Sequence, residues 1–281
     1  MNQFGLRVRA PVPLKMWGKV RVNRTKLGDI AADRYIRPGD ATDRGTLLYF
    51  HGGGYVFGNP GTHRQHLSRL AYVTGTNAYA PQYRLAPAHR YPAAVEDATA
   101  SYKALLASGV APDKVVVAGD SAGGGLSLAL LLKIRDLKLP MPGGLILFSP
   151  YTDLTHSSYT ITTNAHTDYL PARELSQPNL VYADRAQLTD PMVSPVFADL
   201  TGLPPMLVFA GGAEMILDDS ARLVANADRD GVESTFVVED EMMHVWPALV
   251  PWEPATERTL EAAATWIGKL PSMQSDGNPS V

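Results

Sequence analysis

The chain of 281 residues has no cysteine, which excludes disulfide bonds, thiolate metal sites and catalysis by a cysteine. It has no apolar run near the ~18 residues that a membrane-spanning helix needs, and its first residues lack the apolar core of a secretion signal. Neither sign of charge dominates, since 25 basic residues face 28 acidic ones and the formal net charge is -3. We therefore expect a cytoplasmic protein that binds neither nucleic acid nor membranes.

The most informative segment that is present is an apolar strand pattern ending in a Gly-x-Ser-x-Gly pentad. A serine on such a tight strand-to-helix turn has a strained backbone, which only small neighbours such as Gly119 and Gly123 tolerate. The residues from Leu126 to Ile134 are apolar nearly all round and predict a buried helix. We therefore predict that Ser121 is an exposed nucleophile at the N-terminus of a helix, where backbone amides favour negative charge.

A second motif, one histidine followed by three glycines, begins at His51 directly after another apolar run. Acyl transfer through a serine builds negative charge on the carbonyl oxygen, and a glycine loop can bring bare amides close enough to bind it. A phosphate-binding loop is the alternative, but the Gly-Lys-Ser/Thr that would follow one is absent. The expected donors are the amide of Ala122 and two amides from Gly52, Gly53 and Gly54.

Together these segments resemble the bacterial hormone-sensitive-lipase family of α/β-hydrolase esterases, in the branch whose elbow reads Gly-Asp-Ser-Ala-Gly. Further motifs of the resemblance are Tyr83-Arg-Leu-Ala-Pro87, Tyr91-Pro-Ala-Ala-Val-Glu-Asp97, Asp190-Pro-Met-Val-Ser-Pro195 and Leu203-Pro-Pro-Met-Leu-Val208. Two features depart from the family, because Ala88 stands where an acidic residue is usual and the region before the first strand is short. The resemblance implies that Asp120 supports the elbow by hydrogen bonding.

A catalytic serine needs a base that accepts its proton, and the base needs an acid that orients it. In this fold the acid and then the histidine follow the serine along the chain, and only His244 lies late, between the last strand pattern and the final helix. We expect His51 to shape the glycine loop. His63 and His66 are expected on the solvated face of a helix, although their spacing of three would also suit a metal.

The acid should follow the strand pattern Pro205–Ala210, where Glu214, Asp218 and Asp219 are the candidates. Glu214 comes first, at the sheet edge where catalytic groups gather in open α/β folds, although related enzymes more often carry aspartate there. Asp218 and Asp219 are interpreted as acids at the start of a helix that complement its dipole. We predict Glu214 as the acid and keep Asp218 as the alternative, and neither assignment requires a metal or a cofactor.

Short apolar runs alternate with helical patterns from Thr46 onward, which predicts an α/β fold with a mainly parallel sheet and helices on both faces. Two earlier runs, Lys15–Val22 and Ile30–Arg37, would pair antiparallel at the sheet edge. The strand patterns that follow are Thr46–Phe50, Asn77–Ala80, Lys114–Ala118, Gly144–Phe148, Pro205–Ala210 and Thr235–Glu239. The helical patterns are Thr62–Val73, Pro92–Ala107, Ala122–Leu137, Ser220–Arg229 and Pro254–Gly268.

Residues 1–270 are predicted to form a single domain, since 45% of the chain is hydrophobic and can fill one sizeable core, and the resemblance implies that it is an α/β-hydrolase domain. The polar stretch 151–189 is too long for an ordinary connection and is interpreted as a small cap over the site, joined by residues 1–14. Tyr169 and Leu170 in this stretch either touch substrate or pack the cap onto the body. Residues 271–281 lack periodicity and are expected to be disordered.

These residues imply a serine carboxylic-ester hydrolase that acts on small-molecule esters through an acyl-enzyme, and the family resemblance implies acyl chains of short to medium length. An amidase, a lactonase or an acyltransferase could use the same residues, because these enzymes differ in pocket shape and in exclusion of water. A non-catalytic ligand-binding member of the fold is a further alternative, but such members lack the histidine that His244 supplies here. The sequence leaves a homo-oligomer open.

Overall fold

The computed structural model describes residues 18–37, 45–170 and 179–274. Its strands are β1 Arg21–Leu27, β2 Ile30–Ile36, β3 Thr46–Phe50, β4 Asn77–Pro81, β5 Val115–Asp120, β6 Gly144–Phe148, β7 Met206–Gly211 and β8 Ser234–Glu239. They form one eight-stranded sheet in the order β1-β2-β4-β3-β5-β6-β7-β8. β1 and β2 pair antiparallel with each other, β2 pairs antiparallel with β4, and the remaining pairs are parallel.

Helices cover both faces of this sheet. They are α1 Arg64–Thr74, α2 Ala93–Ala107, α3 Ala122–Asp136, α4 Thr160–Thr163, α5 Leu217–Arg229, α6 Trp246–Leu249 and α7 Pro254–Lys269. One apolar core lies between the sheet and α2, α3 and α5, and a second lies between the sheet and α1 and α7. The predicted parallel sheet with helices on both faces is therefore confirmed.

The central strands read as continuous apolar runs because both of their faces are buried. In β3, Leu48 and Phe50 pack into the first core, whereas Leu47 and Tyr49 pack into the second. A shift of one residue would exchange these two sets, so packing fixes the register. In that register β3, β5, β6 and β7 end at the same edge of the sheet, since Phe50 pairs with Gly119 and Phe148 pairs with both neighbouring strands.

The predicted bounds of the first strand, Lys15–Val22, were wrong within the described residues, and the start at Lys15 lies outside them. The described part of the chain has turns over residues 18–20 and a strand over Arg21–Leu27, which continues past the predicted end at Val22. β1 is an edge strand with mostly exposed polar side chains, so it lacks the apolar alternation that identifies a half-buried strand. Gly28, with a φ of 59°, and Asp29 form the two-residue turn to β2.

The expectation of disorder after residue 270 was wrong for residues 271–274. Pro271–Met273 form a 3₁₀ helix, and the hydroxyl of Ser272 donates to the carbonyl of Asp113 at 2.6 Å. Met273 is buried in the second core, so one apolar side chain orders a segment whose composition is otherwise polar. Residues 1–17, 171–178 and 275–281, which include the N-terminal part of the predicted cap, lie outside the described residues.

The stretch after β6 contacts the body of the protein at its far end. The ring of Tyr182 stacks on that of Tyr55 with centroids 3.8 Å apart, and its carbonyl accepts the amide of Tyr91 at 2.9 Å. Arg90 donates to two further carbonyls of this stretch, those of Leu180 and Val181.

In the described ranges, no helix is both long and apolar enough to cross a membrane, and the cytoplasmic location stays a prediction.

Candidate active site

Ser121 lies on the turn between β5 and α3 with a φ of 50° and a ψ of -123°, in a region that residues other than glycine rarely adopt. Close backbone contacts explain the two glycines of the pentad. A Cβ on Gly119 would lie 2.3 Å from the carbonyl oxygen of Gly123, and a Cβ on Gly123 would lie 2.0 Å from that of Phe50. The predicted strand-to-helix elbow is therefore present, and both glycines are required by the approach of backbone atoms.

His244 lies between the serine and a carboxylate. Its Nε2 is 2.9 Å from Oγ of Ser121, and its Nδ1 is 3.2 Å from Oε2 of Glu214. The side chains of His244 and Glu214 are buried, so solvent screens their interaction weakly. A neutral imidazole that donates from Nδ1 to the carboxylate leaves its Nε2 free to accept the serine proton. The structure thus brings together the three residues that the sequence analysis selected.

Strained backbone positions hold the histidine loop, and the sequence analysis missed them. Val245, next to His244, has a φ of 54°, and its amide donates to the hydroxyl of Ser149 at 3.0 Å. Ser149 itself has a φ of 48° just after β6, and its amide donates to the carbonyl of Phe209 at 2.7 Å. Such positions cluster at functional sites. No local motif signals them, because the contacts join segments that are distant in the chain.

Asp218 and Asp219 lie in the first turn of α5, as expected of acids that complement the helix dipole. Their carboxylates also bind a distant segment of the chain, which was not expected. Asp218 accepts the amides of Tyr159 and Thr160, at 2.8 and 3.1 Å. Asp219 is buried and accepts the amides of Thr152 and Asp153 and the hydroxyl of Ser158. Both carboxylates therefore fasten the stretch after β6 to α5, and of the three candidate acids Glu214 is the one beside His244.

Asp120 joins the elbow to the glycine loop, as the family resemblance implied. Its Oδ1 accepts the amide of Gly52 at 3.0 Å and the hydroxyl of Tyr49 at 2.7 Å. A Cβ on Gly52 would lie 2.2 Å from Oδ2 of Asp120, so only glycine fits there. Because the Gly52 amide already has an acceptor, its assignment as an oxyanion donor is corrected. The candidate oxyanion donors in the loop are therefore the backbone amides of Gly53 and Gly54.

His63 and His66 do not lie on a solvated face, so that prediction was wrong. His66 is only 3% exposed and the side chain of His63 is 14% exposed, because α1 turns both rings toward Tyr49 and the second core. Nε2 of His63 lies 3.2 Å from Oδ2 of Asp120. Among the described residues, no group of three or more His, Asp or Glu side chains is arranged to hold a metal ion. His51 is buried and stacks on Tyr83, as befits a loop-shaping role.

The protonation of this cluster follows from burial and from one ion pair. Burial lowers the pKa of His66 to about 4 and that of His51 to about 4. Burial is the largest influence on the pKa of His63 and lowers it, but the charge and hydrogen bond of Asp120 and a backbone hydrogen bond to Asn59 together outweigh burial, so the net shift is upward. In Asp120 burial works to raise the pKa, yet the charge and hydrogen bond of His63 hold it well below its usual range. His63 and Asp120 therefore form a charged pair behind the glycine loop.

An α/β sheet with a serine elbow, and with a histidine and a carboxylate on later loops at the same edge, defines the α/β-hydrolase class. Residues 47–248 match the sequence family described as alpha/beta hydrolase fold. The chain is 38% identical to an acetyl-hydrolase of Streptomyces hygroscopicus, over 83% of this chain and 78% of the relative.

Two solved structures are similar over almost the whole chain. An esterase from the bacterial hormone-sensitive lipase family is 35% identical, with a TM-score of 0.88, over 93% of this chain and 86% of that one. The esterase EstE5, in a crystal soaked with p-nitrophenyl butyrate, is 38% identical, with a TM-score of 0.87, over 92% of this chain and 86% of that one. The chain therefore belongs to the hormone-sensitive-lipase family of bacterial esterases, within the α/β-hydrolase fold.

The pair of His63 and Asp120 predicts a pH dependence of stability. Because the folded pKa of His63 lies above its unfolded value, the stabilisation is fully present below about pH 6.5 and is lost as the pH rises through the folded pKa. We expect the melting temperature of the wild type, relative to His63→Gln, to fall between about pH 6 and about pH 9. A difference that stays constant or grows over this range would contradict the charged pair.

Proposed function

We propose that the enzyme is a serine carboxylic-ester hydrolase in which Ser121 is the nucleophile, His244 the general base and then acid, and Glu214 the orienting carboxylate. The single observation that carries the proposal is the unbroken relay from Oγ of Ser121 to Nε2 of His244 and from Nδ1 to Oε2 of Glu214. A serine alone is a weak nucleophile at neutral pH, and such a relay is the means of activating it.

In the acylation step, His244 takes the proton of Ser121 as the serine oxygen bonds to the ester carbonyl carbon. The resulting imidazolium is stabilised by the buried carboxylate of Glu214. His244 then gives the proton to the alcohol oxygen as its bond to the acyl carbon breaks. In the second half-reaction His244 takes a proton from water, which attacks the acyl carbon, and returns it to Ser121 as the acid departs.

The developing oxyanion is proposed to bind the amides of Ala122, Gly53 and Gly54. Ala122 is the first residue of α3, where an amide has no acceptor within the helix. Gly53 has a φ of 120°, and a Cβ there would lie 2.2 Å from the carbonyl oxygen of Phe57, so a side chain would displace the loop. Removing one such donor typically costs about 3 kcal/mol in transition-state stabilisation.

The proposed substrates are esters with short- to medium-chain acyl groups. Two exposed aromatic side chains flank the relay and support this choice. Phe57, 67% exposed, is attached to the glycine loop through the carbonyl of Gly53, and the ring of Tyr169, 51% exposed, lies 6.4 Å from that of His244. Both rings offer apolar surface that an acyl chain could contact. The acetyl-hydrolase relative and the butyrate ester soaked into EstE5 point to the same class.

The test of the proposal uses Ser121→Ala with p-nitrophenyl butyrate. We expect hydrolysis to fall by several orders of magnitude while the circular dichroism spectrum is unchanged, because the hydroxyl supplies the nucleophile. A serine-directed phosphonate should label and inactivate the wild type but not the variant. A folded variant that keeps more than a few per cent of wild-type turnover would exclude the proposed nucleophile.

Glu214→Gln and Asp218→Asn, compared as folded proteins, test the choice of acid. We expect Glu214→Gln to lower kcat about a thousandfold or more, since the amide no longer favours the imidazolium or fixes its tautomer. Asp218→Asn should lower kcat only slightly, because its carboxylate binds amides away from the relay. The reverse ranking would transfer the role to Asp218.

A series of p-nitrophenyl esters from acetyl to palmitoyl, kept below micelle-forming concentrations, tests the acyl preference. We expect kcat/KM to be greatest for a short or medium chain, in line with the acetyl-hydrolase relative and the butyrate ester soaked into EstE5. A maximum at palmitoyl would overturn the proposed substrate class.

Within the same series, Tyr169→Ala should raise KM for the preferred ester, since its ring lies beside that of His244. Tyr159→Ala is the matched control, because Tyr159 is a similarly exposed aromatic of the same stretch that belongs to the segment bound by Asp218. An equal effect of the two substitutions would argue against a substrate contact by Tyr169.

A further inference from the structure

The loop that carries Glu214 and the loop that carries His244 both contact a third segment, residues 164–168, which precedes them in the chain. Asp168 contacts both loops at once. Its Oδ2 accepts the amide of Met215 at 2.8 Å, next to Glu214, and its Oδ1 accepts the amide of His244 at 3.3 Å. The same Oδ1 accepts the amide of Tyr169 at 2.8 Å, which fixes the orientation of the carboxylate.

Other side chains of this segment hold the acid loop from the same side. Asn164 donates from Nδ2 to the carbonyls of Gly212 and Glu214, at 3.3 and 3.0 Å. The hydroxyl of Thr167 donates to the carbonyl of Ala213 at 2.9 Å. The backbone around Glu214 is therefore held by three carbonyl contacts and, through Asp168, by one amide contact.

We propose that Asp168 is a positioning residue for the hydrolysis, which sets the separation between Glu214 and His244 by holding the backbone of both loops. The inference rests on the proposed function of the relay. A carboxylate suits this position because its two oxygens accept amides from two loops at once, and charge-assisted bonds of this kind are stronger than neutral ones. The cost of losing such a contact is large, since a misplacement of about 1 Å can reduce the rate about a hundredfold.

Asp168→Asn is the decisive substitution, because it keeps the shape of the side chain but replaces one accepting oxygen with an amino group. That group cannot accept a backbone amide, so one of the two loops is released. We expect kcat for p-nitrophenyl butyrate to fall about ten- to a hundredfold while KM changes less than about threefold. Asp168→Glu, which restores both oxygens on a longer arm, should recover part of this loss.

Asp153→Asn is the matched control. Asp153 is a buried carboxylate in the same connection between β6 and β7, and it binds Thr155, Ser157 and Arg222 rather than either relay loop. We expect this substitution to lower the melting temperature, because it removes the charge that pairs a buried carboxylate with the partly exposed Arg222, and to leave kcat within about twofold of the wild type. If Asp168 contributed to stability alone, Asp168→Asn would behave like Asp153→Asn, with a lower melting temperature and a kcat close to that of the wild type.

A spectroscopic readout tests the positioning without an ester substrate. The proton shared by Nδ1 of His244 and Glu214 should give a downfield NMR resonance in the wild type and in Asp153→Asn. In Asp168→Asn we expect that resonance to move upfield or to be lost to exchange. Wild-type kcat together with an unshifted resonance in Asp168→Asn would overturn the inference, and so would a change confined to KM. Failure of the wild type to hydrolyse esters would instead contradict the proposed function, and the resonance would still test Asp168.

Discussion

The geometry of the site depends on one close backbone contact, between the start of α3 and the end of β3. Gly123 approaches Phe50 so closely that a Cβ would lie 2.0 Å from the carbonyl oxygen. The glycine loop begins at the residue after Phe50, so this contact brings the loop to the nucleophile. A Cβ on Gly52 would lie 3.0 Å from that of Ser121. The nucleophile and the amides proposed to stabilise the oxyanion are thus adjacent because two elements of the fold touch without side chains between them.

The loops at this edge of the sheet lack strand partners for many of their amides, and carboxylates accept those amides instead. Asp120 binds the glycine loop, Asp219 binds the start of the stretch after β6, and Asp168 binds both relay loops. Hydrogen bonds to charged groups contribute about 1.5–3 kcal/mol each, which is enough to order irregular backbone. Burial raises the pKa of Asp219 to about 7, whereas in Asp120 the charge and hydrogen bond of His63 and the hydrogen bond of Tyr49 together outweigh burial and lower the pKa. The pKa of a buried aspartate at this edge therefore differs according to whether a cation lies beside it.

The sequence predicted those features that are local in the chain. The elbow, the glycine loop and the parallel strands are each encoded by neighbouring residues, and chain order then led to His244 and Glu214. The roles of Asp219, His63 and Asp168 could not be predicted, because each binds a partner on a distant segment. Local pattern placed Asp219 correctly at the start of a helix but gave no sign of its distant partners, and it favoured a solvated helix face for His63. The hairpin of β1 and β2 had a local signal in Gly28 and Asp29, but the polar composition of an edge strand concealed its extent.

Strain and burial at the site oppose stability, and the carboxylate contacts offset them. Three residues around His244 have positive φ values: Ser121, which contacts its Nε2, Val245, which follows it in the chain, and Ser149, which accepts the Val245 amide. Such positions cost roughly 1–3 kcal/mol each. Within the described residues, Oε1 of buried Glu214 has no hydrogen-bond partner, which adds a desolvation cost. The other oxygen, Oε2, lies 3.2 Å from Nδ1 of His244, so the carboxylate stabilises the imidazolium that forms during the reaction. The relay therefore interacts most favourably when His244 is protonated, which is the state that follows attack by the serine.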